Sequence, residues 1–328
     1  METIRWGIVG VGDVCEVKSG PAFQKASGSE LVAVMRRDAA KAEDFARRHG
    51  VPSWSNDADT LLKDPHIDAI YIATPPNFHV DYAIQALRAG KHVYLEKPMA
   101  RNAEEAGRIL EAVKNSNKKL VVAHYRRRLP LYLRAKEILS SGDLGQPRYV
   151  SLKAIQPEND ALIASSEEYW RVIPEISGGG IFHDLSPHQL DLMIFFFGEP
   201  SSINGTSSRR LADAGCDDCV AGQMSFGEDT VFQGYWDFAS QDGTIVDSCE
   251  IICDQGSLRF SFFRSPVLEI TRSGNVETIE FPSPEHIQQP MIEAVNDYFR
   301  GEGDNPCDAA AGFKVMDMID RLSGEVAN

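Results

Sequence analysis

The first part of the chain alternates short apolar runs with segments in which apolar residues recur every three or four positions. The apolar runs at Ile4–Val9 and residues 67–73 predict buried strands, and the periodicity of Ala39–His49 predicts an amphipathic helix. Gly50, directly after that segment, marks the end of the helix. Strands that alternate with helices at this spacing predict an α/β fold with a doubly wound parallel sheet over residues 1–123.

The pattern changes after residue 123. Residues 202–279 contain short β-rich segments separated by single glycines, which predicts a large open, mainly antiparallel sheet. Amphipathic helices are predicted at residues 286–299 and 309–322, and the pattern leaves open whether they pack back on the first domain. We therefore predict a second, α/β domain over residues 124–328 that binds substrate and forms oligomer contacts.

Aromatic residues recur throughout the predicted antiparallel sheet. A contiguous apolar face of this kind is rarely left in contact with water. We therefore expect the C-terminal sheet to form the interface of a homodimer or homotetramer. The residues expected at this interface are Phe226, Phe232, Tyr235, Trp236, Phe238, Phe260 and Phe262.

Length and charge limit the classes of partner. A chain of 328 residues is longer than one hydrophobic core usually supports, which agrees with two domains. The net charge of -15 argues against a nucleic-acid backbone as a partner. No apolar run reaches the length of a membrane span, and Ile4–Val9 resembles a strand and not the core of a signal peptide. We expect a cytoplasmic protein with no nucleic-acid or membrane partner.

The six cysteines are scattered along the chain, which in a cytoplasmic protein favours reduced thiols. Cys216 and Cys219 form a lone CxxC pair, and a zinc site would need a second pair or histidines at a matching spacing. Cys249 and Cys253 could supply that pair, but they lie in strand-like sequence. We expect no metal ion in this protein.

The first predicted strand ends in a glycine pattern that is typical of nucleotide-binding turns. The sequence Gly10-Val11-Gly12-Asp13-Val14-Cys15 is a GxGxx(G) pattern with cysteine at the third glycine position. The two glycines allow a tight turn and a close approach of the backbone to a pyrophosphate, and the following helix N-terminus offers free N–H groups. Because the pattern follows the first strand, it indicates a dinucleotide-binding domain.

The end of the second predicted strand bears on the choice of nucleotide. The sequence there is Met35-Arg36-Arg37-Asp38, and two guanidinium groups suit the 2′-phosphate of NADP. A carboxylate at this point would instead bind the ribose hydroxyls of NAD, so Asp38 keeps NAD as an alternative. A solvated charge pair at the strand–helix junction is the third interpretation.

In a doubly wound sheet the ligand binds beyond the carboxyl ends of the strands. Lys97 follows the strand His92–Leu95, and Pro98 restricts the direction in which it leaves the sheet. A lysine at this edge can bind a substrate hydroxyl or move a proton, although most lysines are simply exposed. The candidate cofactor-binding residues at this edge are Gly10, Gly12, Asp13, Val14, Arg36, Arg37, Thr74, Pro75, Asn77, His79, Glu96 and Lys97.

Three glycines at positions 178–180 precede a segment with helical periodicity. In a helix, Asp184, His188 and Asp191 are separated by four and three positions and share one face. A carboxylate one turn from an imidazole can orient the ring and raise its basicity, which suits proton transfer. The alternatives are a polar stripe on a structural helix and a metal-dependent hydrolase site that includes His183.

Taken together, the glycine pattern, Glu96-Lys97-Pro98 and the triple-glycine segment resemble the glucose–fructose oxidoreductase / inositol dehydrogenase / rhizopine catabolism (Gfo/Idh/MocA) family along essentially the whole chain. The resemblance implies a Rossmann domain followed by an α/β domain whose open sheet forms dimers or tetramers. Arg36 and Arg37 are most similar to members that use NADP. By position, the catalytic set is Lys97, Asp184 and His188, and the substrate contacts are Tyr125, Arg126, Trp170, Arg171, Asp184 and His188.

The predicted function is NADP(H)-dependent hydride transfer between nicotinamide and a secondary alcohol or carbonyl of a sugar, polyol or diol. His188 would remove or return the hydroxyl proton, and Lys97 would hydrogen-bond the same oxygen. Two other functions remain open: a nicotinamide-dependent, redox-neutral glycosidase and a non-catalytic NADP-binding sensor.

Overall fold

The computed structural model describes residues 2–158, 160, 170–210, 215–240 and 243–324. These residues form two compact units. The first unit contains residues 2–125 and 284–313, and the second contains the described residues of 126–283 and 314–324. The chain therefore returns to the first unit near its end before it enters the second unit again.

The described residues contain fourteen strands and ten α-helices. The strands are β1 (Ile4–Val9), β2 (Ser29–Met35), β3 (Ser53–Ser55), β4 (Ala69–Ile72), β5 (His92–Leu95), β6 (Leu120–Val122), β7 (Pro147–Ile155), β8 (Pro200–Ser208), β9 (Cys219–Phe226), β10 (Thr230–Asp237), β11 (Val246–Cys253), β12 (Gly256–Phe260), β13 (Val267–Arg272) and β14 (Asn275–Glu280). The helices are α1 (Gly20–Lys25), α2 (Ala39–His49), α3 (Ala58–Lys63), α4 (His79–Arg88), α5 (Ala103–Lys114), α6 (Pro130–Ser141), α7 (Pro174–Ser177), α8 (Gly180–Phe197), α9 (Gln289–Arg300) and α10 (Ala309–Ser323).

The first unit is built on a six-stranded parallel sheet with the strand order β3-β2-β1-β4-β5-β6, which confirms the predicted doubly wound sheet. Every residue of β4 is buried, as expected of a parallel strand that is covered on both faces. The order reverses direction between β1 and β4, and ligands bind at such a point in sheets of this kind.

Helix α2 occupies the predicted residues because both of its ends carry local signals. The Asp38 carboxylate accepts the backbone N–H of Lys41 at 3.1 Å and so caps the first turn. Gly50 ends the helix with a φ of +64°, a left-handed conformation that glycine adopts without steric cost. The cap fixes the junction between β2 and α2, where Arg36 and Arg37 lie.

The second unit is built on an eight-stranded sheet in the order β14-β13-β12-β11-β7-β10-β9-β8. All neighbouring strands pair antiparallel except β7 and β10, where Val231 lies opposite Tyr149 in a parallel pair. The prediction of a large, mainly antiparallel sheet is therefore confirmed. Helix α8 packs on this sheet through the Phe182 ring, whose centroid lies 5.2 Å from that of Trp236.

The predicted role of the aromatic residues as an exposed interface is wrong. Six of the seven side chains are buried within the second unit, namely Phe226, Phe232, Trp236, Phe238, Phe260 and Phe262. They face the helices: the Phe197 ring lies 5.5 Å from Phe226, and the Phe196 ring lies 6.1 Å from Phe260. Only Tyr235 is partly exposed. The aromatic face of the sheet is thus the core of the unit, and the opposite face has a different composition.

All six cysteines are free thiols. Within the described ranges, no helix combines the length and the apolar character that crossing a bilayer requires.

Candidate functional site

The loop after β1 has the geometry of a dinucleotide-binding turn. Gly10 has a φ of +98°, and a Cβ atom there would lie 2.8 Å from both the side chain and the backbone of Thr74. A Cβ atom at Gly12 would meet no heavy atom within 4 Å, so the space beside this backbone is open. Asp13 is exposed and Val14 is partly exposed where the following helix begins. Bare backbone beside open space, followed by a helix N-terminus, fits a pyrophosphate group.

Cys15 occupies the place of the usual third glycine without disturbing the turn. Its backbone N–H donates to the Gly12 carbonyl at 2.9 Å, and its Sγ lies 3.8 Å from the Gly10 carbonyl oxygen. Burial raises the pKa of the Cys15 thiol to about 12, so the side chain is protonated at neutral pH. A small, uncharged residue therefore fills this position.

The two arginines after β2 contact different groups. The Arg36 guanidinium donates to the Val11 carbonyl at 3.1 Å and so braces the glycine loop. The Arg37 side chain is exposed, and its guanidinium carbon lies 4.8 Å from the centroid of the Phe78 ring. The Asp38 carboxylate caps α2. The structure therefore separates one arginine that supports the loop from one that faces solvent.

The loop after β4 carries polar atoms that fit a bound ligand. Thr74 Oγ1 and Asn77 Oδ1 are buried, and neither has a hydrogen-bond partner among the described residues. Buried polar atoms are nearly always paired in native proteins, so unpaired ones at a ligand-binding edge indicate that a ligand supplies the partner. Pro75 directly precedes the 3₁₀ turn Pro76–Phe78 that holds Asn77 in place.

His79 joins two loops of the cofactor edge. Its side chain is completely buried, and its ring nitrogens lie 2.8 Å from the Thr74 carbonyl oxygen and 2.9 Å from the Pro98 carbonyl oxygen. Burial lowers the pKa of the imidazole. His79 therefore links these two loops, and its predicted direct contact with the cofactor stays a prediction.

Lys97 is anchored by the buried carboxylate of Glu96. Glu96 Oε2 accepts the backbone N–H of Lys97 at 3.0 Å, while Oε1 accepts hydrogen bonds from the Tyr71 hydroxyl at 2.5 Å and the Gln288 amide at 2.7 Å. The Tyr94 hydroxyl donates to the Gln288 side-chain oxygen at 3.2 Å. Burial raises the pKa of both tyrosines well above the usual value, so both hydroxyls stay protonated and can donate. The peptide bond from Lys97 to Pro98 is cis.

The triple-glycine segment of the second unit makes a tight entry into α8. Gly178 and Gly180 have φ values of +97° and +81°, and a side chain at Gly180 would overlap the Cys216 sulfur. A side chain at Gly179 would overlap the ring of His183, whose Nδ1 lies 3.1 Å from the Gly179 carbonyl oxygen. Burial lowers the pKa of His183 to about 4, so the ring is neutral at physiological pH.

Asp184 forms a nearly buried ion pair. Arg171 Nε donates to Asp184 Oδ2 at 2.9 Å, with side chains that are 7% and 13% exposed. The Arg171 guanidinium carbon also lies 4.5 Å from the centroid of the Trp170 ring. Two predicted substrate contacts, Trp170 and Arg171, are thus grouped with the predicted catalytic carboxylate.

His188 lies one turn further along α8 and packs on a phenylalanine. Its residue is 5% exposed, and its ring centroid lies 5.8 Å from that of Phe263 with the planes at 73°. The Arg126 guanidinium carbon lies 4.4 Å from the centroid of the same Phe263 ring. Asp191 forms a bidentate ion pair with Arg127, with N–O distances of 2.8 and 2.9 Å. Each carboxylate of the predicted polar face is therefore held by its own arginine.

The predicted catalytic and substrate-contact residues are divided between the two units. Lys97 and Tyr125 belong to the first unit, and Tyr125 is buried there. The second unit holds the remaining predicted residues, which are Arg126, Trp170, Arg171, Asp184 and His188.

Sequence reasoning missed Phe263 and Gln288. Phe263 lies between β12 and β13, where two adjacent phenylalanines in a polar turn were a local signal of an aromatic contact. Gln288 reaches Glu96 across 192 positions of sequence, and no local pattern indicates such a contact.

Two family models match consecutive parts of the chain. Residues 4–124 match the oxidoreductase family with an NAD-binding Rossmann fold, GFO_IDH_MocA. Residues 132–259 match the GFO/IDH/MocA C-terminal domain.

Similar proteins include oxidoreductases and a sugar dehydrogenase. Oxidoreductase P35 of Formosa agariphila is 46% identical over 321 residues, which are 98% of each protein. Levoglucosan dehydrogenase of Pseudarthrobacter phenanthrenivorans is 34% identical over 181 residues, 54% of this chain and 46% of that protein. A solved structure of levoglucosan dehydrogenase in complex with NADH shares the fold, with a TM-score of 0.85 at 23% identity over 98% of this chain and 96% of the other. The chain therefore belongs to the Gfo/Idh/MocA family of NAD(P)-dependent oxidoreductases.

Proposed function

We propose that this protein is an NADP(H)-dependent oxidoreductase that transfers a hydride between nicotinamide and a secondary alcohol or carbonyl of a sugar, polyol or diol. The observation that carries the proposal is the anchoring of Lys97 by Glu96, with a backbone N–H to carboxylate distance of 3.0 Å. The neighbouring parallel strands β1, β4 and β5 end at one sheet edge, so Lys97 shares that edge with Gly10 and Thr74. The backbone of Lys97 is thus fixed at this edge, and an ammonium group there suits a substrate oxygen that gains negative charge.

When bound, the nicotinamide accepts or donates the hydride, and the residues of the chain handle the proton. In oxidation, His188 removes the hydroxyl proton while Lys97 donates a hydrogen bond to the same oxygen, which becomes a carbonyl. In reduction, His188 returns the proton to that oxygen. Asp184, held by Arg171 at 2.9 Å, orients His188 or binds a neighbouring hydroxyl. Tyr125, Arg126 and Trp170 complete the proposed substrate contacts.

The preference for NADP rests on the junction after β2. Arg37 is exposed there, and a guanidinium can bind a phosphate through two hydrogen bonds. The Asp38 carboxylate, which would favour the ribose hydroxyls of NAD, instead caps α2 by accepting the Lys41 N–H at 3.1 Å. The levoglucosan dehydrogenase structure that shares this fold contains NADH, so NAD is the competing nucleotide in the test below.

We further propose that the protein is a homodimer or homotetramer and that the C-terminal sheet forms the interface. The face opposite the aromatic core carries Tyr149, Val231 and Ile252 side by side on β7, β10 and β11. Ile252 is 40% exposed, and large apolar side chains grouped on an open sheet face favour association.

The chemistry is tested with a panel of sugars, inositols and diols, each incubated with NADP or NAD and followed by the absorbance of the reduced cofactor. We expect turnover with at least one polyhydroxylated substrate and a higher kcat/KM with NADP. A cofactor that stays tightly bound and shows no net redox change during substrate hydrolysis would instead identify a redox-neutral glycosidase.

The assigned roles are tested by Lys97→Ala and His188→Ala. Either change should lower kcat by about 10²- to 10⁴-fold, the usual contribution of a positioned acid or base. NADP affinity should change little, because the glycine loop and Arg37 are intact. Lys63→Ala and His66→Ala, at exposed positions of the first unit, serve as matched controls. Near-normal turnover of His188→Ala would show that α8 is a structural helix.

A further inference from the structure

A single carboxylate holds the turn that carries Phe263. The Phe263 turn, residues 261–265, connects β12 to β13 without regular secondary structure. The Asp247 carboxylate accepts the backbone N–H groups of Phe262 at 3.0 Å, Phe263 at 2.6 Å and Arg264 at 3.1 Å. Asp247 itself lies on β11, paired with Ala154 of β7, so the turn is tied to the middle of the sheet.

Three side chains outside the turn also hold it. The Phe262 carbonyl accepts hydrogen bonds from the Arg126 guanidinium and, at 3.0 Å, from the Tyr132 hydroxyl. The Arg264 guanidinium donates to the Asp160 carboxylate at 2.7 Å. The backbone of the turn is thus held on both sides of Phe263, which fixes the direction in which the Phe263 side chain leaves the backbone.

The Phe263 ring is in turn the surface against which His188 rests. The two ring centroids are 5.8 Å apart with the planes at 73°, an edge-to-face arrangement that aromatic rings favour. The imidazole is part of a residue that is only 5% exposed, so its orientation depends on what packs against it. A displaced Phe263 would leave this side of the imidazole unsupported.

We propose that Asp247 is a positioning residue for His188, which acts by holding the Phe263 turn. The proposal rests on the proposed proton-transfer role of His188. Loss of the carboxylate removes the shared acceptor of three backbone N–H groups, and we expect the turn to shift although its contacts with Arg126 and Tyr132 remain. A misplacement of about 1 Å in a catalytic group can lower a rate by about 10²-fold. Asp247 would therefore affect catalysis without touching substrate or cofactor.

The position of His188 can be measured without any turnover. The imidazole Hε1 resonance of His188 is identified in an NMR spectrum of the free protein by its loss in His188→Ala. Phe263→Leu should move this resonance by removing the ring current, and Asp247→Ala should move or broaden it by releasing the ring. Asp247→Asn keeps one acceptor oxygen and should give a smaller change.

The matched control is Asp254→Ala. Asp254 directly follows the opposite end of β11, roughly 20 Å away at the usual rise per strand residue, and its carboxylate pairs with exposed Arg148 at 2.8 Å. This variant should leave the His188 resonance unchanged. A shift in Phe263→Leu confirms only that the ring lies against His188, so an unchanged resonance in folded Asp247→Ala would by itself overturn the proposal. If Asp247→Ala does not fold, Asp247→Asn decides the question, and an unchanged resonance in that variant would overturn the proposal.

Kinetics separate this proposal from the proposed function. Asp247→Ala should lower kcat by about 10- to 100-fold, while the KM for NADP changes by less than about 2-fold, because no cofactor loop is altered. If the His188 resonance moves in Asp247→Ala but His188→Ala itself turns over normally, the positioning role stands and the catalytic role of His188 fails.

Discussion

Arg36 and Arg37 show how adjacent residues of one type acquire different roles. Arg36 donates to the Val11 carbonyl at 3.1 Å, within the glycine loop that both nucleotides would use. Arg37 is exposed beside Phe78. The two side chains are therefore expected to differ in nucleotide specificity, although the sequence alone assigns both to the 2′-phosphate.

We predict that Arg37→Ala weakens NADP binding by about 10- to 100-fold, since a charge-assisted hydrogen bond is worth roughly 1.5–3 kcal/mol. NAD, which lacks the 2′-phosphate, should lose little affinity. Arg36→Ala should weaken both nucleotides by similar factors, because it loosens the loop. Calorimetric titration of each variant with both nucleotides measures these affinities. Equal losses of affinity for NADP and NAD in Arg37→Ala would contradict the assignment of Arg37 to the 2′-phosphate.

His183 gives a prediction about acid stability. Burial holds its native pKa at about 4, below the usual 6.5. Between these pH values the unfolded chain binds a proton at residue 183 that the native protein does not. The effect of this residue is therefore to lower the free energy of unfolding as the pH falls from 6.5 toward 4, with no such loss above pH 6.5. The total loss is on the order of 3 kcal/mol.

Replacing His183 by Gln should therefore flatten the dependence of unfolding free energy on pH across this window, although the variant can be less stable at neutral pH. Urea unfolding at a series of pH values, followed by tryptophan fluorescence, gives the slope. Identical slopes for the variant and the wild type would show that His183 does not carry this proton.

At the scale of elements, the start of α9 is tied to the first sheet through one side chain. Gln288 immediately precedes α9 and donates to the buried Glu96 carboxylate at 2.7 Å. We predict that Gln288→Ala lowers the free energy of unfolding by about 1–3 kcal/mol, because a buried carboxylate loses a donor. Urea denaturation measures the loss.

The neighbouring residue provides the control for this change. The Gln289 side-chain amide donates a hydrogen bond to the Glu293 carboxylate at 3.0 Å. This bond lies within the same helix and is only partly buried. Gln289→Ala should therefore cost less than about 0.5 kcal/mol. If the two variants lose the same stability, the network around Glu96 does not anchor α9.

The elements of the parallel sheet were predictable because each has a local signal. β4 is a buried apolar run, and α2 carries a cap at Asp38 and a stop at Gly50. The short strand Ser53–Ser55 was not predicted, because it is a largely exposed edge strand without an apolar run. Local patterns therefore give the elements that bury apolar residues and miss those that only extend a sheet edge.

The orientation of the second sheet was not predictable from the same patterns. Alternation along β10 shows that Tyr235 and Trp236 face opposite sides, but not which side the helices cover. The structure buries Trp236, whose indole N–H donates to Gln189 of α8 at 2.6 Å, and leaves Tyr235 partly exposed. The contacts of Phe263 and Gln288 were not predictable either, because they depend on pairing between distant segments.

At the scale of the whole molecule, the proposed association of copies of the chain depends on the outer face of the second sheet. Tyr149 lies opposite Val231 on one side and Ile252 on the other, which makes an apolar row across three strands. The next row on the same face carries the polar residues Gln233, Ser151 and Glu250, which limits the apolar part of the face on that side. A narrow apolar row with a polar surround is the usual composition of a protein interface.

We predict that Ile252→Glu converts the oligomer to a lower mass at micromolar concentration, because an unpaired charge buried in an interface costs at least about 2 kcal/mol, or roughly 30-fold in affinity. Trp54→Glu is the matched control, since both residues are 40% exposed and Trp54 lies on β3 of the first unit. Its mass should equal that of the wild type. Sedimentation velocity measures all three proteins. A monomeric wild type, or an Ile252→Glu variant of wild-type mass, would place any association on a different surface.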